Sequence, residues 1–196
     1  IKPQHALTEL NEAIKNKDAY ITTEVGQHQM WAAQYIDFFK PNRWMTSGGL
    51  GTMGYGFPAA IGVQVADPKR TVICIAGEAS FLMNMQELSS LKQLNIPVKI
   101  FILNNEYMGM VRQWQEFFHG GRYAESYTDS LPDFVNLANS FGIKGMRITE
   151  PEKLKSGIKE MLNHKGPVLV DVCVDKMENV FPMIPAGAAH NEMKLS

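Results

Sequence analysis

Thr71-Val72-Ile73-Cys74-Ile75-Ala76-Gly77-Glu78-Ala79-Ser80, followed one helical stretch later by Val98-Lys99-Ile100-Phe101-Ile102-Leu103-Asn104-Asn105, decides the fold. Each begins as a short β-rich apolar run and ends in polar residues, the pattern of a buried strand running into a turn. Between them Phe81, Met85, Leu88 and Leu91 recur at helical spacing, so 80–94 reads as one helix. A helix joining two such strands is a parallel crossover. Glu78 and Asn105 then lie side by side at the carboxyl ends of neighbouring strands, where open α/β sheets bind ligands. A carboxylate, an amide oxygen and a phosphate form the hard oxygen set that suits Mg²⁺.

Outward from this unit, strand and helix patterns alternate. A helix is expected over 3–15, with Leu7, Leu10 and Ile14 on one face and Pro3 in its first turn. A strand at 19–25, a short helix at 28–35 and a helix at 58–65 precede the central unit. Helices at 108–118 and 132–141 and a short strand at 143–148 follow it. Thr149-Glu150-Pro151-Glu152 reads as a capping box opening a helix that carries Leu154, Ile158, Met161 and Leu162. Gly166 stops that helix, and 167–174 is the last strand. The alternation implies an α/β fold, a parallel sheet of about six strands with helices on both faces. Residues 1–174 make this domain. Residues 175–196 have little periodicity and read as a tail folded over the site or over a partner. Gly120-Gly121 end the helix before them, and the polar stretch to Ser130 reads as a mobile loop.

Composition narrows the function. Nineteen basic residues against twenty acidic ones leave no basic surface for nucleic acid. No apolar run approaches the ~20 residues of a membrane span. The chain opens on Ile1 with no charged-then-apolar leader, and is read as a fragment. Cys74 and Cys173 fall in expected strands with no CxxC or Cys/His cluster, so both read as buried reduced thiols. That points to a reducing compartment, the cytoplasm.

Other candidates surround the central pair. Gly26-Gln27-His28 lies between a strand and a helix, an anion-site geometry. His28 there reads as a phosphate donor; a general base and an exposed histidine in a capping turn are the alternatives. Ala79 lets backbone approach a phosphate, and a helix starting at Ser80 aims free N–H groups at it. The run 47–56 holds five glycines and passes straight into an apolar helix. It reads either as a flexible loop or as backbone able to press against a flat ring. Gly49-Leu50-Gly51-Thr52-Met53-Gly54 spells G-x-G-x-x-G but follows a polar turn rather than a strand, the wrong context for a dinucleotide site. Met83, Met110 and Trp114 are apolar at helical positions, a pattern shared by core and by pocket walls. Arg112 reads as a surface or interface charge. Lys153, Lys155, Lys159 and Glu160 read as a solvated helix face, and Asp129 and Asp133 as loop and helix-start residues.

The Glu78…Asn105 pair resembles the GDG…NN motif of thiamine diphosphate enzymes. Longer stretches are similar to the catalytic subunits of acetohydroxyacid (acetolactate) synthases. They are Gly26-Gln27-His28-Gln29-Met30-Trp31-Ala32-Ala33-Gln34, Gly48-Gly49-Leu50-Gly51-Thr52-Met53-Gly54-Tyr55-Gly56, Asn104-Asn105-Glu106-Tyr107-Met108-Gly109-Met110-Val111-Arg112-Gln113-Trp114 and Phe181-Pro182-Met183-Ile184-Pro185-Ala186-Gly187. Their order covers nearly the whole sequence. The resemblance implies that Glu78, Asn105 and the carbonyl of Tyr107 hold Mg²⁺ on the diphosphate. It implies cofactor contacts from Gly26, Gln27, His28, Gly77, Ala79, Ser80, Asn105, Tyr107, Gly109 and Met110. Gly51 would offer a carbonyl to the aminopyrimidine and Met53 would wedge beneath it, forcing the bent cofactor shape. Met83 and Met110 would border the reacting centre, and Trp114 would shape the pocket for the second 2-keto acid. One position departs: the family has Asp where this chain has Glu78. The extra methylene moves the carboxylate by roughly 1.5 Å, so the backbone retreats, a water intervenes, or metal affinity falls.

The implied reaction decarboxylates pyruvate and condenses the product with pyruvate or 2-ketobutyrate, yielding precursors of branched-chain amino acids. The family's N-terminal domain, whose glutamate protonates the aminopyrimidine in a partner subunit, has no counterpart here. Neither has the FAD-binding middle domain. The chain alone is therefore expected to be catalytically silent, and the whole protein to be a homodimer or larger with a regulatory small subunit as a further partner. Two other readings stand: a sister enzyme such as pyruvate oxidase, and a non-catalytic domain whose metal site Glu78 has impaired.

Overall fold

The two apolar runs of the central unit pair in parallel, from Ile73 beside Lys99 to Gly77 beside Leu103. A computed structural model of residues 1–196 places them at the middle of one sheet. Its strands are β1 (Tyr20–Thr23), β2 (Trp44–Thr46), β3 (Val72–Gly77), β4 (Lys99–Asn104), β5 (Lys144–Ile148) and β6 (Val168–Cys173). All pair in parallel, in the order β2-β1-β3-β4-β6-β5. The α/β sheet of about six strands is thus present. Five strands were legible; the sixth is β2, three residues too short to show a period.

The strand period of two divides the interior. Ile73, Ile75, Phe101 and Val170 face one core, covered by α1 (Pro3–Ile14), α2 (Gln27–Tyr35) and α8 (Leu154–Asn163). Cys74, Ala76, Ile100 and Ile102 face the other, covered by α3 (Gly56–Ala66), α4 (Glu78–Leu82), α5 (Leu88–Leu94) and α7 (Phe134–Ser140). There Phe81 packs between Phe57 and Phe134, with ring centroids at 5.2 and 6.1 Å. Each such buried ring contributes about 1.5–3 kcal/mol of transfer free energy. Cys74 is buried and Cys173 half-buried, both as free thiols. No helix is long and apolar enough to cross a membrane.

Three local expectations are corrected. The helix expected over 80–94 is two helices, α4 and α5, with a 3₁₀ turn at Met85–Glu87 between them. Asn84 leaves helical geometry because its Nδ2 donates to Gly54 O at 2.7 Å. The Thr149–Glu152 capping box does not form. Pro151 holds Glu150 extended, the first turn is 3₁₀ at Pro151–Lys153, and that turn has no side-group cap. Arg112 is not a surface charge: it is fully buried in α6 (Gly109–Phe118) and donates to Glu116, to Glu178 O and to Asn179 Oδ1.

The polar stretch after α6 is tied down at one end. Tyr107 bridges Tyr127, Met108 N–H donates to Ser126 O, and Thr128 N–H donates to Glu106 O. The segment beyond β6 lies against α2 and α6. Val180 is buried and its N–H donates to Gln113 Oε1 at 2.8 Å.

Candidate functional site

Three strand ends feed three helix starts into one cleft. β1 leads through Glu24-Val25-Gly26 into α2, β3 runs directly into α4, and β4 leads through Asn105–Met108 into α6. None of these three helix starts is capped by a side group. Only α7 among the α-helices is capped by a side chain, Asp133, whose carboxylate accepts from Asn136 N–H, so what marks this cleft is that three uncapped starts converge on it. Uncapped N–H groups and the positive helix ends make the cleft an anion receptacle. Its cavity measures about 230 Å³ and opens to solvent, walled by Gly26, Gln27, His28, Met53, Gly77 to Ser80, Asn105, Tyr107 to Val111 and Trp114. Gly77 must stay bare here, since a Cβ would meet His28 Nδ1 at 2.8 Å.

Glu78 heads α4 and is 1% exposed, yet neither carboxylate oxygen has a hydrogen-bond partner. Burial pushes its carboxyl up to about 8, with Asp171 adding to the rise. The amides of Glu78, Asn105 and Tyr107 lie close enough to oppose that rise, though none reaches hydrogen-bond geometry. A buried acid with two orphaned oxygens is what a cation would satisfy. Asn105 stands on the adjacent strand end, with Tyr107 two residues on. Its Oδ1 accepts from Tyr107 N–H at 3.2 Å and keeps a second lone pair free. No three acidic, histidine or cysteine residues cluster anywhere. A site here therefore relies on one carboxylate, an amide oxygen and a carbonyl. The donor set is all oxygen and fits Mg²⁺, and the uncapped helix starts beside it fit a diphosphate.

Gln27 and His28 both line the cleft, and both are buried. The Gln27 amide is engaged within the protein. Its Oε1 accepts from Asn105 Nδ2, and its Nε2 donates to Gln113 Oε1 and Glu178 O. His28 turns Nε2 toward Glu24 Oε1 at 3.4 Å. Glu24 is fully buried and is the residue that sequence reasoning missed. Its carboxylate accepts from Ser80 Oγ at 2.8 Å and from Gly56 N–H at 3.0 Å. It therefore ties the glycine run to the starts of α2 and α4. Its position after β1 matches that of Glu78 after β3, a strand-end acid before a helix, and that parallel was the available signal.

The apolar candidates divide. Met53, Met110 and Trp114 wall the cleft, and Trp114 keeps 40% of its surface exposed. Met83 is half exposed and does not line it. Gly51 is exposed, at φ +78°, outside the cleft wall. Gly109 lines the cleft, but its bare Cα makes room within the protein: a Cβ would meet Gln27 Oε1 at 2.0 Å.

Comparison with known proteins adds one family and three relatives. The family described as thiamine pyrophosphate enzyme, C-terminal TPP binding domain, matches residues 24–172. The acetolactate synthase isozyme 2 large subunit of Escherichia coli K12 is 50% identical over 91% of the chain and 33% of that protein. Isozyme 3 from the same organism is 50% identical over 100% of the chain and 34% of that protein. The large subunit of Cyanidium caldarium is 48% identical over 97% and 32%. The chain spans about a third of the length of these relatives.

Proposed function

The chain belongs to the thiamine pyrophosphate enzymes, matching their C-terminal TPP-binding domain, and from that premise we propose that it is about a third of an acetolactate synthase large subunit. Residues 1–174 are the cofactor domain and 175–196 a tail closing on it. The observation that carries this reading is the orphaned, buried Glu78 carboxylate beside Asn105, set among three uncapped helix starts. Near-50% identity along the sequence to acetolactate synthase large subunits supports the choice within the family.

Glu78, Asn105 Oδ1 and the Tyr107 carbonyl would hold Mg²⁺. Backbone N–H groups at the starts of α2, α4 and α6, those of Gln27, Ala79 and Ser80 among them, would hold the diphosphate together with His28. Gly26 and Gly77, by lacking side chains, leave room for the His28 ring at the cleft wall. Met53 would support the aminopyrimidine, with the Gly51 carbonyl at the mouth. Bound there, thiamine diphosphate supplies the nucleophilic carbon and the electron sink for decarboxylating one 2-keto acid and passing two carbons to a second. Met110 and Trp114 exclude water and grip the second 2-keto acid. The open indole wall favours 2-ketobutyrate, the larger acceptor, by about 1–3 kcal/mol per methylene. The acid partner of the aminopyrimidine and the FAD site belong to the N-terminal and middle domains. This chain alone binds cofactor without turnover. The whole protein works as a homodimer or larger in the cytoplasm, with a regulatory small subunit.

Calorimetric titration of thiamine diphosphate into the chain, with and without Mg²⁺, tests the site. Mg²⁺-dependent binding is expected. Heat that does not change with Mg²⁺, or acetolactate formed by the 196-residue chain alone, overturns the assignment concerned. Acceptor competition between pyruvate and 2-ketobutyrate on the full-length protein tests the role of Trp114.

A further inference from the structure

The geometry points to Gln113 and the tail backbone as positioning elements that, together with the local Tyr107 N–H, set which atom of the Asn105 side-chain amide faces the metal. Three buried side-chain amides form a relay. Asn105 Nδ2 donates to Gln27 Oε1 at 3.0 Å, and Gln27 Nε2 donates to Gln113 Oε1 at 2.8 Å. All three residues are at most 5% exposed, so solvent competes little for these bonds. An amide can flip end for end at little cost, and in isolation the relay could run in either sense. Two backbone groups forbid the reversed sense, because a backbone N–H can only donate and a backbone carbonyl can only accept. Val180 N–H donates to Gln113 Oε1 at 2.8 Å, which fixes that oxygen. Glu178 O accepts from Gln27 Nε2 at 3.0 Å, which fixes that nitrogen. Gln113 Nε2 in turn donates to Val180 O at 3.3 Å and to Met183 Sδ at 3.1 Å.

With both glutamines fixed, Asn105 presents Nδ2 to Gln27 and Oδ1 to the cleft, the same sense that Tyr107 N–H favours by donating to Oδ1 at 3.2 Å. A second observation stands apart from the bonds. Gly109 is bare where a Cβ would lie 2.0 Å from Gln27 Oε1 and 2.9 Å from Asn105 Nδ2. The first residue of α6 is glycine so that this junction can close. Arg112 secures the tail end of the relay, donating to Glu178 O and Asn179 Oδ1 at 2.7 and 2.8 Å. The tail is thereby coupled to the metal through atom choice at Asn105, without touching the metal. This inference rests on the reading of Asn105 as a ligand.

The test uses the 196-residue chain with two readouts. Hydrogen exchange of the Asn105 side-chain amide is read by ¹⁵N NMR without any metal. Mn²⁺ affinity is read by electron paramagnetic resonance in the presence of thiamine diphosphate. In Gln113→Leu the Asn105 amide should exchange at least about tenfold faster, and Mn²⁺ should bind about tenfold more weakly, within the range for outer-shell partners of metal ligands. Gln113→Glu keeps an oxygen that accepts from both Gln27 Nε2 and Val180 N–H, though it loses the donation to Val180 O, and should restore slow exchange. Gly109→Ala breaks the relay at its other end and should repeat the Gln113→Leu result if that variant does not fold. In an Asn105→Asp background the Mn²⁺ loss should vanish, because both carboxylate atoms are oxygens and no direction remains to be set. An equal loss in both backgrounds makes Gln113 a purely structural residue and overturns the proposal, as does unchanged Asn105 exchange in Gln113→Leu. If exchange behaves as expected but Mn²⁺ binding ignores residue 105 or is absent, the ligand reading of Asn105 fails instead, and the role given to the relay falls with it.

Discussion

Replacing Glu78 by Gln should stabilise the cofactor-free chain at alkaline pH and abolish its stabilisation by metal and cofactor. An acid with an ordinary value of 4.5 that is held at about 8 in the fold binds more protons folded than unfolded between those values. Stability therefore falls as pH rises from 4.5 to 8 and stays low above it. The difference corresponds to an upper bound of about 5 kcal/mol, since each pH unit is worth about 1.4 kcal/mol. Protonated Glu and Gln are nearly isosteric and equally unpaired in this pocket, so the two proteins should melt together at pH 4. Even half the bound, about 2.5 kcal/mol, raises the midpoint of a protein this size by roughly 5–10 °C. Calorimetric melts of both from pH 4 to 9, without metal, should show the Gln variant gaining on the parent through pH 5–8 and then levelling. With Mg²⁺ and thiamine diphosphate the order should invert, because the parent alone gains a ligand for its carboxylate. A stability difference that does not vary with pH would refute the account of Glu78 as a cation-seeking buried acid.

Arg112→Met should cost about 3–5 kcal/mol, the range for breaking a buried charged network, because Glu178 O and the Glu116 carboxylate lose a buried donor. Limited proteolysis should then cut the 175–196 segment before the α/β body. Gly77→Ala should weaken thiamine diphosphate binding at least tenfold in calorimetry while shifting the melt by only a few degrees, since the added Cβ meets His28 Nδ1 rather than the core. Trp114→Ala should leave stability within about 1 kcal/mol because the indole is already 40% exposed, yet change the 2-ketobutyrate-to-pyruvate preference of the full-length enzyme by about 10-fold or more in competition assays.

The elements legible in the sequence were those whose signal is local. β3, β4 and their crossover announce themselves by apolar runs and spacing, and Glu78 and Asn105 follow from where those runs stop. Gln27 and His28 were placed by the junction of a strand with a helix. The misread features answer to distant partners. Arg112 sits on an amphipathic helix where spacing suggests solvent, and tail residues about 66 positions away bury it. Asn84 breaks a regular apolar period because Gly54, 30 positions earlier, offers it a carbonyl. Glu24 lies near the end of the expected 19–25 strand, and only the closure of α4 and the glycine run over it shows its role. The Gln27–Gln113 contact spans 86 positions and leaves no trace in either neighbourhood.

The uncapped helix starts and the orphaned acid ask for opposite charges a few residues apart. A lone divalent cation arriving at Glu78 meets the positive ends of α2, α4 and α6, and a lone diphosphate meets a carboxylate. Each guest removes the other's obstacle, so their binding must be positively cooperative by linkage, and equally so in either direction. On the proposed reading, the cleft would hold a cation and a diphosphate together more tightly than it holds either alone. Loading of the cofactor would then depend on the concentration of free Mg²⁺ as well as on that of the cofactor itself.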